Sequence, residues 1–253
     1  VGWSSWVTSA GGYLSHEFPV PTWIVKGLIP GSGWTYLISQ AKVGKSIFAA
    51  QLAESLSLGS PFLGFEAPEH PIRTAYLQAD EPAAEWQAQL TQLNISASAP
   101  ILMATDPEPW PLANPEAAKL IKEKLADEKV EYLILDSQYA LFPKDLNDIE
   151  TVVQFRKCIA YIWKGPYLLL HHPRKPPAGM VENFIDGSAG SHALAANASA
   201  ILGLRPDKLV VAGGRLVKKA EYPMARAANG RWVWGSIPAS LTLPDNLWSQ
   251  PLP

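Results

Sequence analysis

Ser39-Gln40-Ala41-Lys42-Val43-Gly44-Lys45-Ser46 constrains this chain more than any other stretch, because its flanks fix what it can be. The preceding run Trp34-Thr35-Tyr36-Leu37-Ile38 is aromatic and β-branched, as a buried strand should be. The run after it, residues 47–58, places apolar side chains at helical spacing. A Gly-Lys-Ser between strand and helix is the setting in which backbone N–H groups wrap a phosphate at the positive end of a helix. Lys45 then neutralises β/γ-phosphate oxygens and the Ser46 hydroxyl ligates Mg²⁺. The expected ligand is a nucleoside triphosphate. The usual G-x-x-x-x-G-K-[ST] motif begins with Gly, whereas Ser39 holds that place here, so Ser39 is expected to keep a negative φ or to accept strain.

The rest of the chain predicts an α/β sheet around this loop. Strands are expected at 34–38, 74–78, 101–104, 132–135 and 167–170, and helices at 46–58, 83–93, 115–128 and 149–163. Such alternation marks a parallel sheet covered by helices. After His172 the pattern changes to a Pro/Gly-bearing loop at 173–190 and a short helix at 191–196. Three strands follow at 200–204, 209–212 and 231–234, read as an antiparallel extension. Residues 1–20 and 237–253 lack periodicity and read as arms around an ATPase domain at 21–236, with Trp3, Trp6 and Trp248 available to dock on a neighbour.

With 253 residues the chain suits one α/β domain and leaves no room for a second large one. No apolar run is long enough to span a bilayer, so no membrane role is implied. Val1-Gly2-Trp3 shows neither an initiator Met nor a signal-peptide pattern, as expected of a piece of a longer protein. Cys158 is the only cysteine, so no internal disulfide forms and a reducing, cytoplasmic setting is expected. Net charge is −2, unlike a globally basic nucleic-acid binder, but residues 205–231 are locally basic.

Three further clusters carry chemistry. Tyr132-Leu133-Ile134-Leu135-Asp136-Ser137 is an apolar strand ending in a carboxylate, which predicts that Asp136 holds Mg²⁺ through water or through Ser46. Asp80 or Glu81, at the end of the strand at 74–78, is expected to polarise the attacking water, on the assumption that this strand lies next to the phosphate loop. His171 or His172, at the end of the strand at 167–170 that follows the one bearing Asp136, is expected to touch the γ-phosphate and report its loss to Pro173-Arg174-Lys175. Adjacent histidines without a Cys partner or a spaced His-Glu pair do not suggest zinc. The absence of Asn-Lys-x-Asp favours ATP over GTP.

Taken in order, these blocks resemble the hexameric RecA-fold ATPases of the plasmid RepA and DnaB replicative-helicase type. Trp23 to Pro30 resembles the lead-in to the P-loop strand, Ala41 to Ser46 the P-K-x-G-K-S form, and Pro61-Phe62-Leu63-Gly64 the segment after the first helix. Tyr76 to Glu81 resembles the strand delivering the catalytic carboxylate, with Asp80 where Glu is usual. Leu133 to Ser137 resembles Walker B, Leu168 to Lys175 the His-His-x-Arg-Lys sensor segment, and Gly190-Ser191-His192-Ala193-Leu194 the block after the DNA-facing loop.

The resemblance implies a RecA-like core with a mostly parallel sheet, bound ATP and Mg²⁺, and a homo-hexameric ring moving on single-stranded DNA. A recombination or strand-annealing ATPase, or an ATP-dependent switch without nucleic acid, are the alternatives. It implies a trans-acting arginine at Arg215, or Lys218 in that role, and DNA contacts from Arg174, Lys175, Lys218 and Lys219. If Lys219-Ala220-Glu221 is instead the Lys-x-Arg register, Glu221 replaces the arginine, and Ala189 stands where some relatives have Arg.

Overall fold

The computed structural model describes residues 9–15, 22–105, 112, 114–142, 149–173 and 197–235. The arms with Trp3, Trp6 and Trp248, the segment from Arg174 to Ala196 and its expected short helix lie outside the described residues.

The elements in chain order are α1 (Ala10–Leu14), β1 (Trp23–Val25), β2 (Ile29–Pro30), β3 (Trp34–Ile38), α2 (Lys45–Leu58), β4 (Thr74–Gln78) and α3 (Ala83–Gln92). There follow β5 (Ile101–Thr105), α4 (Pro115–Asp127), β6 (Tyr132–Asp136), α5 (Gln138–Leu141), α6 (Ile149–Ile162) and β7 (Tyr167–His171). The C-terminal part adds β8 (Ala200–Leu204), β9 (Lys208–Gly213), β10 (Ala220–Arg226) and β11 (Trp232–Trp234).

β3 to β11 form one nine-stranded sheet in the order β11-β10-β9-β8-β3-β7-β6-β4-β5. From β8 to β5 the pairings are parallel, and β9, β10 and β11 continue antiparallel, as the sequence led us to expect. One expectation is corrected here. β4 is not next to the phosphate-loop strand, because β7 and β6 stand between it and β3.

Both faces of the central strands are apolar, so side chains alternate between two cores instead of between core and water. Leu37, Ile134, Leu168 and Leu170 face the core shared with α2 and the C-terminal strands, whereas Tyr36, Ile38, Leu133, Leu135 and Leu169 face the core shared with α4 and α6. Helix α2 is buried over most of its circumference, from Phe48 to Ser57, because the sheet covers one side and the C-terminal strands another. Gly59 ends it in the left-handed region (φ 63°), which costs a glycine little.

The fourth C-terminal strand, β10, was not expected. Pro223 cannot donate to a ladder, but β10 pairs with β9 up to Pro223 and with β11 from Met224 onward, so the proline falls at the hand-over. The Pro61–Gly64 segment forms a turn against this sheet edge. A Cβ on Gly64 would lie 1.8 Å from the Trp234 indole nitrogen, and Phe65, Tyr222 and Trp234 form an aromatic cluster there.

Candidate functional site: the phosphate loop and its carboxylates

At the carboxyl ends of β3, β7, β6 and β4 the chain gathers the loop, His172, Asp136 and the Asp80-Glu81 pair. The loop itself runs from Ser39 to Gly44 before α2 begins at Lys45. Ser39 is not among the residues with positive φ, the first of the two outcomes expected of it; Lys42 is, at 65°, together with Gly44 at 105°. The left-handed conformations of the loop therefore fall at positions 42 and 44, and position 39 does not require glycine.

Ser39 also has a chemical task. Its carbonyl accepts from Lys45 Nζ at 3.0 Å and its hydroxyl at 3.2 Å, while the Gln40 carbonyl lies at 3.4 Å. The Lys45 ammonium is buried, so these acceptors offset the desolvation of its charge.

Its fourth contact is His172 Nδ1 at 3.0 Å. An ammonium has only donors, so this nitrogen accepts and the ring proton sits on Nε2. That nitrogen stands 3.4 Å from Asp80 Oδ2. Lys45, His172 and Asp80 therefore form a continuous polar chain across the mouth of the site. The His172 hydrogen bond is the main reason the Asp80 carboxyl is held below its ordinary range.

His171 has a different place. It is largely buried, stacks on Tyr36 with ring centroids 5.2 Å apart, and its pKa is pushed down to about 4, first by burial and then by His172 and Lys45. Of the two histidines expected to sense phosphate, only His172 reaches the Lys45 ammonium with a ring nitrogen, whereas His171 meets the loop through its carbonyl, which accepts from the Ser39 N–H at 3.4 Å.

Asp136 ends β6 and is buried. Tyr76 donates to its Oδ2 at 2.6 Å, and the Ser46 side chain also hydrogen-bonds to it. Burial raises its pKa despite those two donors, so the carboxylate lacks a full counter-charge within the protein. A hard cation answers that deficit. The described residues contain no group of three His, Cys, Asp or Glu able to hold a metal unaided. One carboxylate and one hydroxyl fit Mg²⁺, which keeps several waters and takes phosphate oxygens as ligands.

Beyond β4, the Gln78 side-chain oxygen accepts from the backbone N–H groups of Asp80 and Glu81 at 2.9 and 3.1 Å, fixing the loop that presents both acids. Glu81 differs from Asp80 in that burial, followed by Asp136, Asp80 and Glu85, raises its pKa. The sequence did not point to Gln78, Tyr76 or Gln138, which accepts from the Tyr36 hydroxyl beneath the loop. Their partners are distant in the chain.

On the other flank, Gln51 of α2 is doubly bonded to the Trp232 backbone, at 3.0 and 2.7 Å, and the Trp232 indole N–H donates to the Gly44 carbonyl at 3.0 Å. Arg231 adds an ion pair to Glu54 at 2.6 Å. Strand β11 therefore braces the loop from within the same chain.

Arg215 lies elsewhere. Its backbone N–H bonds the Ser199 carbonyl and its guanidinium reaches Asn197 at 3.4 Å, at the amino ends of the parallel strands and opposite the phosphate loop. Lys218 and Lys219 are exposed on the same connection, and Glu221 pairs with Lys208 at 2.7 Å. Arg174 and Lys175 lie outside the described residues.

Comparison with known proteins agrees with this geometry. The family model described as an AAA domain matches residues 4–178, more than half of the chain. Among solved structures, a KaiC-like protein from the hyperthermophilic archaeon Pyrococcus horikoshii OT3 is similar, with a TM-score of 0.56 and 14% sequence identity, covering 84% of this chain and 93% of the other. At that identity the likeness establishes the RecA-like fold alone. No curated protein matches the sequence. No helix among the described residues is long and apolar enough to cross a membrane. Because the family match runs from before the phosphate loop to beyond the histidine pair, the chain belongs to the AAA domain family and is a P-loop NTPase.

Proposed function

We propose that this protein hydrolyses ATP and couples hydrolysis to movement on single-stranded DNA, as one subunit of a homo-hexameric replicative helicase. The observation that carries the coupling is the chain Lys45–His172–Asp80. A γ-phosphate competes with His172 Nδ1 for the Lys45 ammonium, so nucleotide state sets the position of the segment that continues as Pro173-Arg174-Lys175.

Within the site, the loop N–H groups and Lys45 orient the phosphates, and Ser46 with Asp136 holds Mg²⁺. The cation's contribution is to neutralise charge on the phosphates. Glu81 is the better general base. Its raised pKa gives it more affinity for the proton of an attacking water, whereas His172 already draws on Asp80. Asp80 then positions His172. Arg215 or Lys218, remote from its own loop, acts on a neighbour's nucleotide, and Arg174, Lys175, Lys218 and Lys219 contact the DNA backbone.

The test is ATP hydrolysis with and without single-stranded DNA, together with solution mass. DNA should accelerate turnover in an oligomer, and Arg174→Ala/Lys175→Ala should remove that increment. DNA affinity should fall with salt with a slope of about −0.7 per phosphate contact. Unwinding of a forked duplex supports the helicase, whereas pairing of complementary strands without unwinding supports an annealing ATPase. Turnover indifferent to DNA would leave an ATP-dependent switch.

A further inference from the structure

The β10–β11 hairpin brings a further cation to the phosphate loop. Arg226, the last residue of β10, lies with its guanidinium over the Trp232 ring, 4.8 Å from the centroid. Its Nη1 stands 2.6 Å from the point where a Cβ on Gly44 would be, so the arginine lies directly against the loop at the position whose φ of 105° favours glycine.

Two arginines of this hairpin can be compared. Arg231 is tied to Glu54 at 2.6 Å and to the Leu93 carbonyl at 3.0 Å, which makes it a structural brace. The Arg226 guanidinium has its ring contact and, among the described residues, no hydrogen bond or ion pair. Burial also disfavours its charged form. Arg226 is exposed to solvent, and its guanidinium is held over an indole beside a loop built to hold an anion, which points to a ligand.

The loop's asymmetry says which part of the ligand. Lys45, His172, Asp80 and Asp136 converge on one flank, where the terminal phosphate and the cation belong. A nucleotide held that way round leaves the loop on the other flank, past Gly44, where Trp232 and Arg226 stand. The phosphates already have Lys45 and the backbone N–H groups. What Arg226 adds is a planar cation with an indole behind it, a surface suited to a flat heterocycle.

We propose that Arg226, backed by Trp232, is the cis contact for the nucleoside end of the bound nucleotide, its guanidinium stacking on the base. The proposal rests on the ATP-binding reading above, and its test separates the two. Calorimetric titrations of the wild-type chain, Arg226→Ala and Arg226→Lys with Mg-ATP and with Mg-tripolyphosphate are compared, with thermal unfolding as a check that each variant is folded.

Arg226→Ala should weaken Mg-ATP binding about tenfold and leave tripolyphosphate unchanged. Arg226→Lys keeps the charge but not the plane, so it should not restore ATP affinity. Unchanged ATP binding in Arg226→Ala overturns the proposal while leaving nucleotide binding intact. Parallel loss of tripolyphosphate, restored by Lys, also overturns it and makes Arg226 a phosphate ligand. A wild-type chain that binds neither ligand overturns the nucleotide reading itself.

Discussion

Glu81→Gln and Asp80→Asn should separate two acids that stand side by side. Asp80 is joined to His172 at 3.4 Å, but both side chains are more than a third exposed, at 41% and 37%. A polar contact that open contributes about 0–1 kcal/mol, so Asp80→Asn should slow hydrolysis by less than about fivefold. Glu81→Gln removes the proton acceptor. Loss of a general base costs roughly 10²–10⁴ in rate, about 3–5 kcal/mol of barrier, while ATP binding is kept because the loop and Lys45 are untouched.

The pH profile gives an independent check on the same assignment. A base acts only when deprotonated, so kcat/KM should fall as pH drops through its pKa. With Glu81 raised, that limb should lie above the ordinary carboxylate value of about 4.3. With Asp80 as base it would lie below the ordinary aspartate value of about 3.9. Steady-state phosphate release across pH on the wild type and both amides reads all of this. A hundredfold loss in Asp80→Asn with near-normal Glu81→Gln would refute the assignment, and equal small losses would mean that neither is the base.

Three other outcomes follow from the contacts. Asp136→Asn should abolish the Mg²⁺ dependence of nucleotide binding, measured by titration with and without the cation, because the amide supplies no charge for the metal. Gln51→Leu strands the N–H and carbonyl of buried Trp232; denaturant unfolding should show a loss of about 2–4 kcal/mol. For His171, whose folded pKa is lowered to about 4, the unfolded chain binds more protons below its ordinary value of about 6.5. Its stability contribution is therefore complete above about 6.5 and lost as pH falls toward 4, by roughly 3 kcal/mol, and His171→Phe should flatten that part of the pH–stability curve.

The parts of the fold that the sequence revealed were those whose signal is local. β3, β4, β6 and β7 are short apolar runs buried on both faces, and each stood out within a residue or two. The order of those strands did not, because nothing in a strand or its crossover helix states which neighbour it will join. β10 was hidden by Glu221, Pro223 and Arg226, which read as loop until β9 and β11 are seen to share the strand between them. At the site, Lys45, Ser46, Asp136 and the acid pair follow from motif spacing. Their supports do not, since Tyr76 meets Asp136 across 60 residues and Gln51 meets Trp232 across 181. The histidine pair was legible as a pair only, because which ring faces the loop depends on strand alternation at the end of β7.

The central claim is that this loop turns over ATP, and the most direct measurement is Mg-ATP hydrolysis by the wild-type chain beside Lys45→Ala. Lys45 is a buried cation bonded at once to Ser39, Gln40 and His172. The account predicts Mg²⁺-dependent phosphate release by the wild type, and its loss in a Lys45→Ala protein that keeps the wild-type circular dichroism spectrum. Equal turnover in the two would contradict it.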